Sequence, residues 1–566
     1  MKEGNERMSR SVGRILAESL IAHGIDTIWM VPGESFLGLT DALTETPEVR
    51  LVVCRHEGGA GFMAVADGRM QGGRAGVLLV SRGPGLSNAM VALHTAHHDA
   101  TPLVVLCGQV ERKDFGRLAL QEQNYAKLLA DITKDVIEVN ETVQASEAIA
   151  RAFHLAESGT PGPVAVILPE DIFDEPCEAP LAKPRPRVHG GARAQDLDRL
   201  AGMLAAAERP LVWVGGALAN AAPEALAALR ELAEQWVLPV CPTHRRPQLF
   251  DSAHPNYGGY MGIRVPKQLV EEMKRADLLL ALGERITDSV SQSYSFPTAP
   301  DPQLPLVQVW PDANEIGRVF RPDLGIVAEP EAVIEALLRR GAPAGAARRA
   351  GWVAGLNGIH QRLMEPVWES MTDGVNFAAI CVEVAKHLAP DAAVTSDAGN
   401  FSSFIHRYIG FRPGQNFLSS VVGAMGAGVP MAVAAAIRRP GKQAVAFVGD
   451  GGALMSGNEI ATAMQYGAAP IIIVSDNKRY GTIGMHHEVR YPNRPYEDAV
   501  RLTNPDFAAW GRVFGAEGIT IAAESEVEAG IARAFAVKDR PVVVHVHTSA
   551  EQMSAWRRRG APRLHG

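Results

Sequence analysis

GDGGALMSGNEIATAMQYGAAPIIIVSDN, running from Gly449 to Asn477, is the stretch that decides the fold. An apolar run from Gln443 to Val448 leads into it and breaks at Gly449-Asp450-Gly451. A helix-like segment from Ser456 to Tyr466 follows, and a second apolar run, Ile471 to Val474, ends in Ser475-Asp476-Asn477. Strand, helix and strand at this length form a βαβ unit, whose two strands lie parallel. Parallel strands end on the same edge of a sheet, so Asp450 and Asn477 are expected in one crevice, where open α/β sheets bind ligands. One carboxylate and one neutral amide oxygen suit a hard Mg²⁺ that shares its charge with a bound diphosphate. The flanking glycines let backbone N–H groups approach phosphate oxygens, and the helix N-terminus adds its positive end. The plainer reading makes Asp450 a helix cap and nothing more.

The same alternation recurs upstream. Between Val12 and Pro176, apolar runs at Ile28–Val31, Leu51–Val53, Val77–Val80, Leu103–Leu106 and Val164–Leu168 alternate with helical stretches, which predicts a doubly wound domain. Glu178–Ala194, with its prolines, basic residues and a Gly-Gly pair, reads as a linker. A second unit opens with Leu211–Val214, includes Leu278–Leu282 and fades near Leu338, and Arg339–Arg349 reads as a second linker. The expected fold class is therefore α/β, with three doubly wound parallel-sheet domains at 8–177, 195–338 and 370–550. The basic segment from Trp556 to Gly560 is expected to be a loose tail.

Composition narrows the function classes. A chain of 566 residues accommodates several domains, and 47% hydrophobic with 21% charged residues is an ordinary globular balance. A net charge of −8 offers no basic excess for nucleic acid. No apolar run approaches the roughly 18 residues of a membrane helix, and the first residues lack a signal peptide's apolar core. Five cysteines without a CxxC pair point to reduced thiols and a cytoplasmic location.

Two more stretches carry chemistry: Arg55-His56-Glu57 directly after Leu51–Val53, and Gly83-Pro84-Gly85 after Val77–Val80. With Gln121-Glu122, GAMGAG at Gly423–Gly428 and the Asp450…Asn477 pair, they follow the order found in thiamine diphosphate enzymes. From about Val12 to His547 the chain resembles the acetolactate synthase, pyruvate oxidase and benzoylformate decarboxylase superfamily. Its motifs come closest to acetolactate synthase catalytic subunits.

The resemblance implies a pyrimidine-binding first domain, a central domain and a diphosphate-binding third domain. Glu57 would hydrogen-bond the cofactor's aminopyrimidine N1′ and so promote loss of the thiazolium C2 proton; burial is expected to raise its pKa. Gly83 and Pro84 would line the cofactor from the first domain, and Gly423, Gly449, Gly451, Gly452, Tyr480 and Gly481 from the third. Met425 would wedge the cofactor into its bent form. Asp450, Asn477 and the Arg479 carbonyl would hold Mg²⁺, and Gln121 would position the substrate-derived intermediate. Because such a cofactor bridges domains of different subunits, a homodimer at the least is implied, with a homotetramer expected. A regulatory subunit is left open.

Substrate residues are less sharply marked. Arg285 corresponds to the arginine that holds a second 2-oxo acid's carboxylate in acetolactate synthases, against the alternative of a surface ion pair. His97-His98 falls at a different place from the tandem histidine of pyruvate decarboxylases and reads as part of a helix. The family's methionine and tryptophan over the substrate become Gly484 and His486, implying a larger pocket with a protonatable histidine, and His487 and Glu488 extend its polar character. The bulky basic turn Thr243-His244-Arg245-Arg246-Pro247 disfavours FAD. The implied activity is a Mg²⁺- and thiamine diphosphate-dependent lyase or carboligase. It would decarboxylate a 2-oxo acid and pass the enamine to a proton or a second carbonyl. The alternatives are a C–C hydrolase of a diketone, a 2-hydroxyacyl-CoA lyase, and an FAD-containing oxidase.

Overall fold

Each apolar run anticipated between Val12 and Pro176 is a strand of one parallel sheet. The computed structural model describes residues 10–559, so Met8, Ser9 and Gly560 lie outside the described residues. The chain divides into two compact units, one ending at Val188 and the other opening at His189.

The first unit contains β1 (Arg10–Ser11), β2 (Thr27–Met30), β3 (Arg50–Val53), β4 (Gly76–Val80), β5 (Leu103–Gln109), β6 (Asp135–Glu138), β7 (Pro163–Pro169) and β8 (Pro176–Cys177). Its six-stranded sheet runs β3-β2-β4-β5-β7-β6, all parallel, while β1 and β8 pair as a short antiparallel ribbon. Strands β4, β5 and β7 are buried along their whole length, which is why they read as unbroken apolar runs. Edge strand β6 is four residues long, two apolar side chains between two acids, only Ile137 of them buried, and carried no such signal.

The second unit holds two sheets. One contains β9 (Pro210–Val214), β10 (Val240–Pro242), β11 (Leu278–Leu282), β12 (Leu306–Trp310) and β13 (Leu324–Val327) in the parallel order β10-β9-β11-β12-β13. The stretch read as a second linker does not behave as one. Arg349 is fully buried and donates to the carbonyls of Ala207, Trp236 and Leu204, and Trp352 and Leu356 of the helix Ala350–Leu363 join the core beneath this sheet. An arginine-rich run resembles a solvated linker in composition, but Arg349 spends its donors on carbonyls at element ends.

The other sheet contains β14 (Ala393–Ser396), β15 (Asn416–Ser419), β16 (Ala444–Gly449), β17 (Ile471–Asp476), β18 (Glu517–Ile521) and β19 (Val542–His547), ordered β15-β14-β16-β17-β19-β18 and parallel throughout. Its connectivity repeats that of the first unit's main sheet strand for strand. In both, the first strand lies between the second and the third, so the chain reverses its winding there and opens a crevice at the carboxyl ends. The anticipated βαβ unit is present, with Gly449 opposite Ser475. The expected helical segment holds the helix Ile460–Gln465, and a separate helix, Asp450–Ser456, which the sequence reading did not anticipate, precedes it.

The tail also differs from expectation. Trp556 stacks against Arg407, 4.4 Å from its guanidinium carbon, and Arg558 and Arg559 pair with Glu551 and Glu497 at 2.9 and 2.5 Å. All five cysteines are buried free thiols. Among the described residues no helix is long and apolar enough to cross a membrane.

Candidate functional site

The carboxyl ends of β14, β15, β16 and β17 surround a cavity of about 240 Å³. Gly423 and Met425 reach it from the loop after β15, Gly449 to Gly452 from the turn after β16, and Asn477, Arg479, Tyr480 and Gly481 from the segment after β17. Every cofactor and metal residue expected of this domain thus lines one space, while Gly484, His486, His487 and Glu488 do not.

Asp450 heads its helix and is buried. Its Oδ1 accepts from Gly451 N–H at 2.9 Å; Oδ2 accepts from Arg479 N–H at 3.2 Å and Asn504 Nδ2 at 2.9 Å. Asp450 is the first helical residue behind the cap Gly449, and the helix has no side-chain cap bond, so the helix-cap reading does not hold. Asn477 Oδ1 accepts from the same Arg479 N–H at 3.2 Å, so the two side chains converge. Asn504 also donates to Asp476 Oδ1 at 2.8 Å, and Asp476 Oδ2 meets His545 Nε2 at 2.9 Å. Burial, with the Asp476 charge behind it, pushes Asp450 above the ordinary carboxylate range, whereas Asp476 is held below it, against burial, by its hydrogen bonds to His545, Asn504 and Lys478 N–H. A buried carboxylate beside a second acid, with a neutral amide oxygen adjoining, is a donor set that a divalent cation satisfies.

The glycine cradle is equally specific. A Cβ at Gly451 would stand 2.5 Å from Tyr480 Cε1, and one at Gly452 would stand 2.1 Å from Asp397 Oδ2. Asp397, buried at the end of β14, accepts from Gly426 N–H at 3.0 Å and Gly428 N–H at 2.6 Å, pinning the loop that carries Met425. Burial pushes Asp397 up to about 6, although the Gly428 and Gly426 N–H groups oppose the rise. Sequence reading missed Asp397, Asn504 and Asp476. For Asp397 a signal existed: Ser396-Asp397-Ala398-Gly399 closes an apolar run as Gly449-Asp450-Gly451 does. Asn504 carried none.

In the first unit, Glu57 is the first residue of the helix Glu57–Met70, with His56 Nδ1 capping it by accepting from Gly58 N–H at 3.0 Å. Asn88 Nδ2 donates to Glu57 Oε2 at 2.9 Å. The carboxylate is half-buried in the single chain, not enclosed as the sequence reading supposed. Gly83 adopts φ +53 just ahead of Pro84, its N–H donating to Tyr125 Oη at 2.8 Å, and its Cβ position would meet the Gln121 carbonyl at 2.8 Å. Gln121 thus sits against the Gly83 turn. Glu122 staples that loop by accepting from Gly116 and Ala119 N–H at 2.5 and 3.3 Å.

The remaining residues fall elsewhere. His97 and His98 occupy the last turn of the helix Pro84–Asp99, and at 1.5 Å per residue that is about 20 Å from Pro84. Arg285 lies over the Trp310 ring at 5.5 Å and lines neither this cavity nor its neighbour. Gly484 does not enlarge the pocket, because the Arg479 guanidinium fills the space, 2.8 Å from where a Cβ would be. His487 stacks on Tyr496 at 4.5 Å, and Glu488 meets the Tyr496 hydroxyl at 3.3 Å. His486 lines the neighbouring cavity, where burial first and the charge of Arg264 second push its pKa down, so it is neutral near pH 7 and not readily protonated.

Comparison with known proteins agrees with this geometry. The sequence models described as the N-terminal, central and C-terminal domains of thiamine pyrophosphate enzymes match residues 10–128, 197–337 and 397–546. An acetolactate synthase of Mycobacterium bovis is 31% identical over 552 residues, covering 94% of this chain and 87% of that protein. An acetolactate synthase large subunit of Parasynechococcus marenigrum is 29% identical, covering 96% and 88%. The isozyme 1 large subunit of Escherichia coli is 28% identical, covering 94% and 92%. The chain belongs to the thiamine pyrophosphate enzyme family and takes thiamine diphosphate as its cofactor.

Proposed function

We propose that this protein is an acetolactate synthase-like 2-oxo acid decarboxylase and carboligase dependent on Mg²⁺. The observation that carries the reading is the single cavity in which Asp450, Asn477, the Gly449–Gly452 turn and Met425 meet at the ends of parallel strands. Bound thiamine diphosphate supplies the electron sink through which a 2-oxo acid loses CO₂ and the remaining acyl group passes to a proton or a second carbonyl.

The chain's own residues do the rest. Asp450, Asn477 and the Arg479 carbonyl would hold Mg²⁺, and Gly449, Gly451 and Gly452 would let backbone N–H groups approach the diphosphate. Gly423, Tyr480 and Gly481 wall the cavity, and Met425, held in place through Asp397, fills it beside the cofactor. Glu57 exchanges a proton at the aminopyrimidine N1′, oriented by Asn88, with Gly83 and Pro84 closing that end. Gln121 positions the substrate.

We place the domains at 8–177, 195–338 and 370–550, with the helix Ala350–Leu363 packed against the second of them, and the protein in the cytoplasm. The assembly is a homodimer at the least, and a homotetramer by analogy, in which one subunit's Glu57 serves another's Asp450. The half-exposed Glu57 and the outward Leu118 and Leu120, 97% and 76% exposed beside Gln121, support a covering partner. Incubation with thiamine diphosphate, Mg²⁺ and pyruvate, following CO₂ and acetolactate together, tests the reaction. No CO₂ from pyruvate or any longer 2-oxo acid would sink it. Mixing inactive Glu57→Gln and Asp450→Ala subunits tests the assembly: random dimers restore roughly a quarter of parental activity if the site is shared, and none if it is not.

A further inference from the structure

A second cavity, of about 280 Å³, adjoins the cofactor cavity and shares Ala398, Gly399, Asn400, Gly423 and Thr482 with it. Three arginines line it, Arg245, Arg264 and Arg407, and its lining contains no aspartate or glutamate. Arg264 faces uncharged atoms: Nη2 is 3.2 Å from His486 Nδ1 and Nη1 is 3.3 Å from Met485 Sδ. Arg407 lies between the Tyr408 and Trp556 rings at 4.7 and 4.4 Å and donates to the carbonyls of Leu363 and Ala555. No carboxylate pairs with either guanidinium among the described residues. Asp397 does not line the cavity, but its charge reaches Arg245 and partly offsets it, so the unbalanced charge is that of Arg264 and Arg407.

The histidines here leave the balance positive. Burial, with Arg245 beside them, pushes His244 and His406 far below the ordinary imidazole range, so both are neutral. Neither ring nitrogen of His244 has a hydrogen-bond partner among the described residues, although the side chain is buried. Val265, Leu269, Leu363 and Met364 supply apolar wall between the charged groups. The charges of Arg264 and Arg407, in a partly desolvated space with no acid in its lining, are costly unless an anion enters, and guanidinium groups select planar or tetrahedral oxyanions.

From this we infer that the cavity is the subsite for a second anionic group, a carboxylate or phosphonate, carried on a short apolar spacer by the 2-oxo acid or its acceptor. The inference rests on the proposed decarboxylase reading for the reacting end of the substrate; the anion subsite itself rests on the cavity.

The test titrates the full chain, loaded with thiamine diphosphate and Mg²⁺, with three inert probes: glutarate, 3-phosphonopropionate and pentanoate. At least one dianion should bind roughly tenfold or more tightly than pentanoate, and whichever does so identifies the anion. Arg264→Gln should weaken that dianion about tenfold, with Arg264→Lys recovering part of the loss; thiamine diphosphate affinity serves as the check on folding. Turnover should favour 2-oxoglutarate over 2-oxohexanoate in kcat/KM. Equal affinity for all three probes, or dianion affinity unmoved by both Arg264→Gln and Arg245→Gln, overturns the inference. So does a co-purifying flavin or coenzyme A whose retention depends on these arginines. CO₂ release from 2-oxohexanoate with no preference for the dianion overturns the inference and leaves the decarboxylase reading standing. Arginine-dependent dianion binding without CO₂ from any 2-oxo acid upholds the subsite and removes the decarboxylase.

Discussion

The same substitution, glycine to alanine, should act with opposite sign at two helical positions. Gly355 lies in the middle of the helix Ala350–Leu363, exposed, with nothing within 4 Å of where a Cβ would be. Alanine there gains helix propensity of about 1 kcal/mol. Gly452 is buried in the helix Asp450–Ser456, and its Cβ would stand 2.1 Å from Asp397 Oδ2. That oxygen cannot retreat freely, because it accepts from Gly426 N–H at 3.0 Å. Losing a hydrogen bond to a charged group costs about 1.5–3 kcal/mol, and the strain of overpacking adds about 1–3. After the same propensity gain, Gly452→Ala should lose about 2–5 kcal/mol. For a domain of this size each kcal/mol moves Tm by roughly 2–4 °C. Cofactor-free Gly452→Ala should therefore melt roughly 4–20 °C below the parent, and Gly355→Ala roughly 2–4 °C above it. The loop carrying Met425 loses its anchor as well, so thiamine diphosphate affinity should fall about tenfold, equivalent to roughly 1.4 kcal/mol. Melting by circular dichroism and calorimetric titration read the two effects. A Gly452→Ala protein that melts with the parent and binds cofactor as well would refute the claim that Asp397 holds this loop.

Glu57→Gln should retain thiamine diphosphate binding while turnover falls by roughly 100-fold or more, as loss of a general acid–base group does; parental turnover would remove Glu57 from proton transfer. Asp450→Ala should abolish the Mg²⁺ dependence of cofactor binding, and an unaltered titration would reject the metal assignment. His360 is buried against Tyr257, and burial lowers its pKa to about 4. The unfolded chain then binds the extra proton below pH 6.5, so stability present above that pH is lost as pH falls toward 4, by about 3 kcal/mol in all. His360→Phe should flatten the dependence of Tm on pH between 7 and 5; parallel losses in both proteins would exclude His360 as the cause.

Much of the fold was legible because buried parallel strands must be apolar along their length and must end in turns. That grammar exposed β4, β5, β16 and β17 and placed Asp450 and Asn477 on one edge. It did not expose β6, a four-residue edge strand with one apolar pair between acids, nor the helix Asp450–Ser456, because glycines normally argue against a helix. Arg349 shows the limit of composition: the same residue type is a linker charge in one setting and a buried donor to three carbonyls in another. Gly484 shows a second limit. A missing side chain makes a pocket only if no distant residue fills it, and Arg479 does.

The sequence by itself determined the alternation of strand and helix, the family motifs and the residues at strand ends, all of which depend on chemistry within a few positions of each other. Tertiary structure decided what those residues face. Asp397 reaches the Met425 loop, Asn504 joins Asp450 to Asp476, and Arg245, Arg264 and Arg407 line one acid-free cavity. These partners come from segments far apart in the chain, and only packing sets the distances on which hydrogen bonding, desolvation and charge depend.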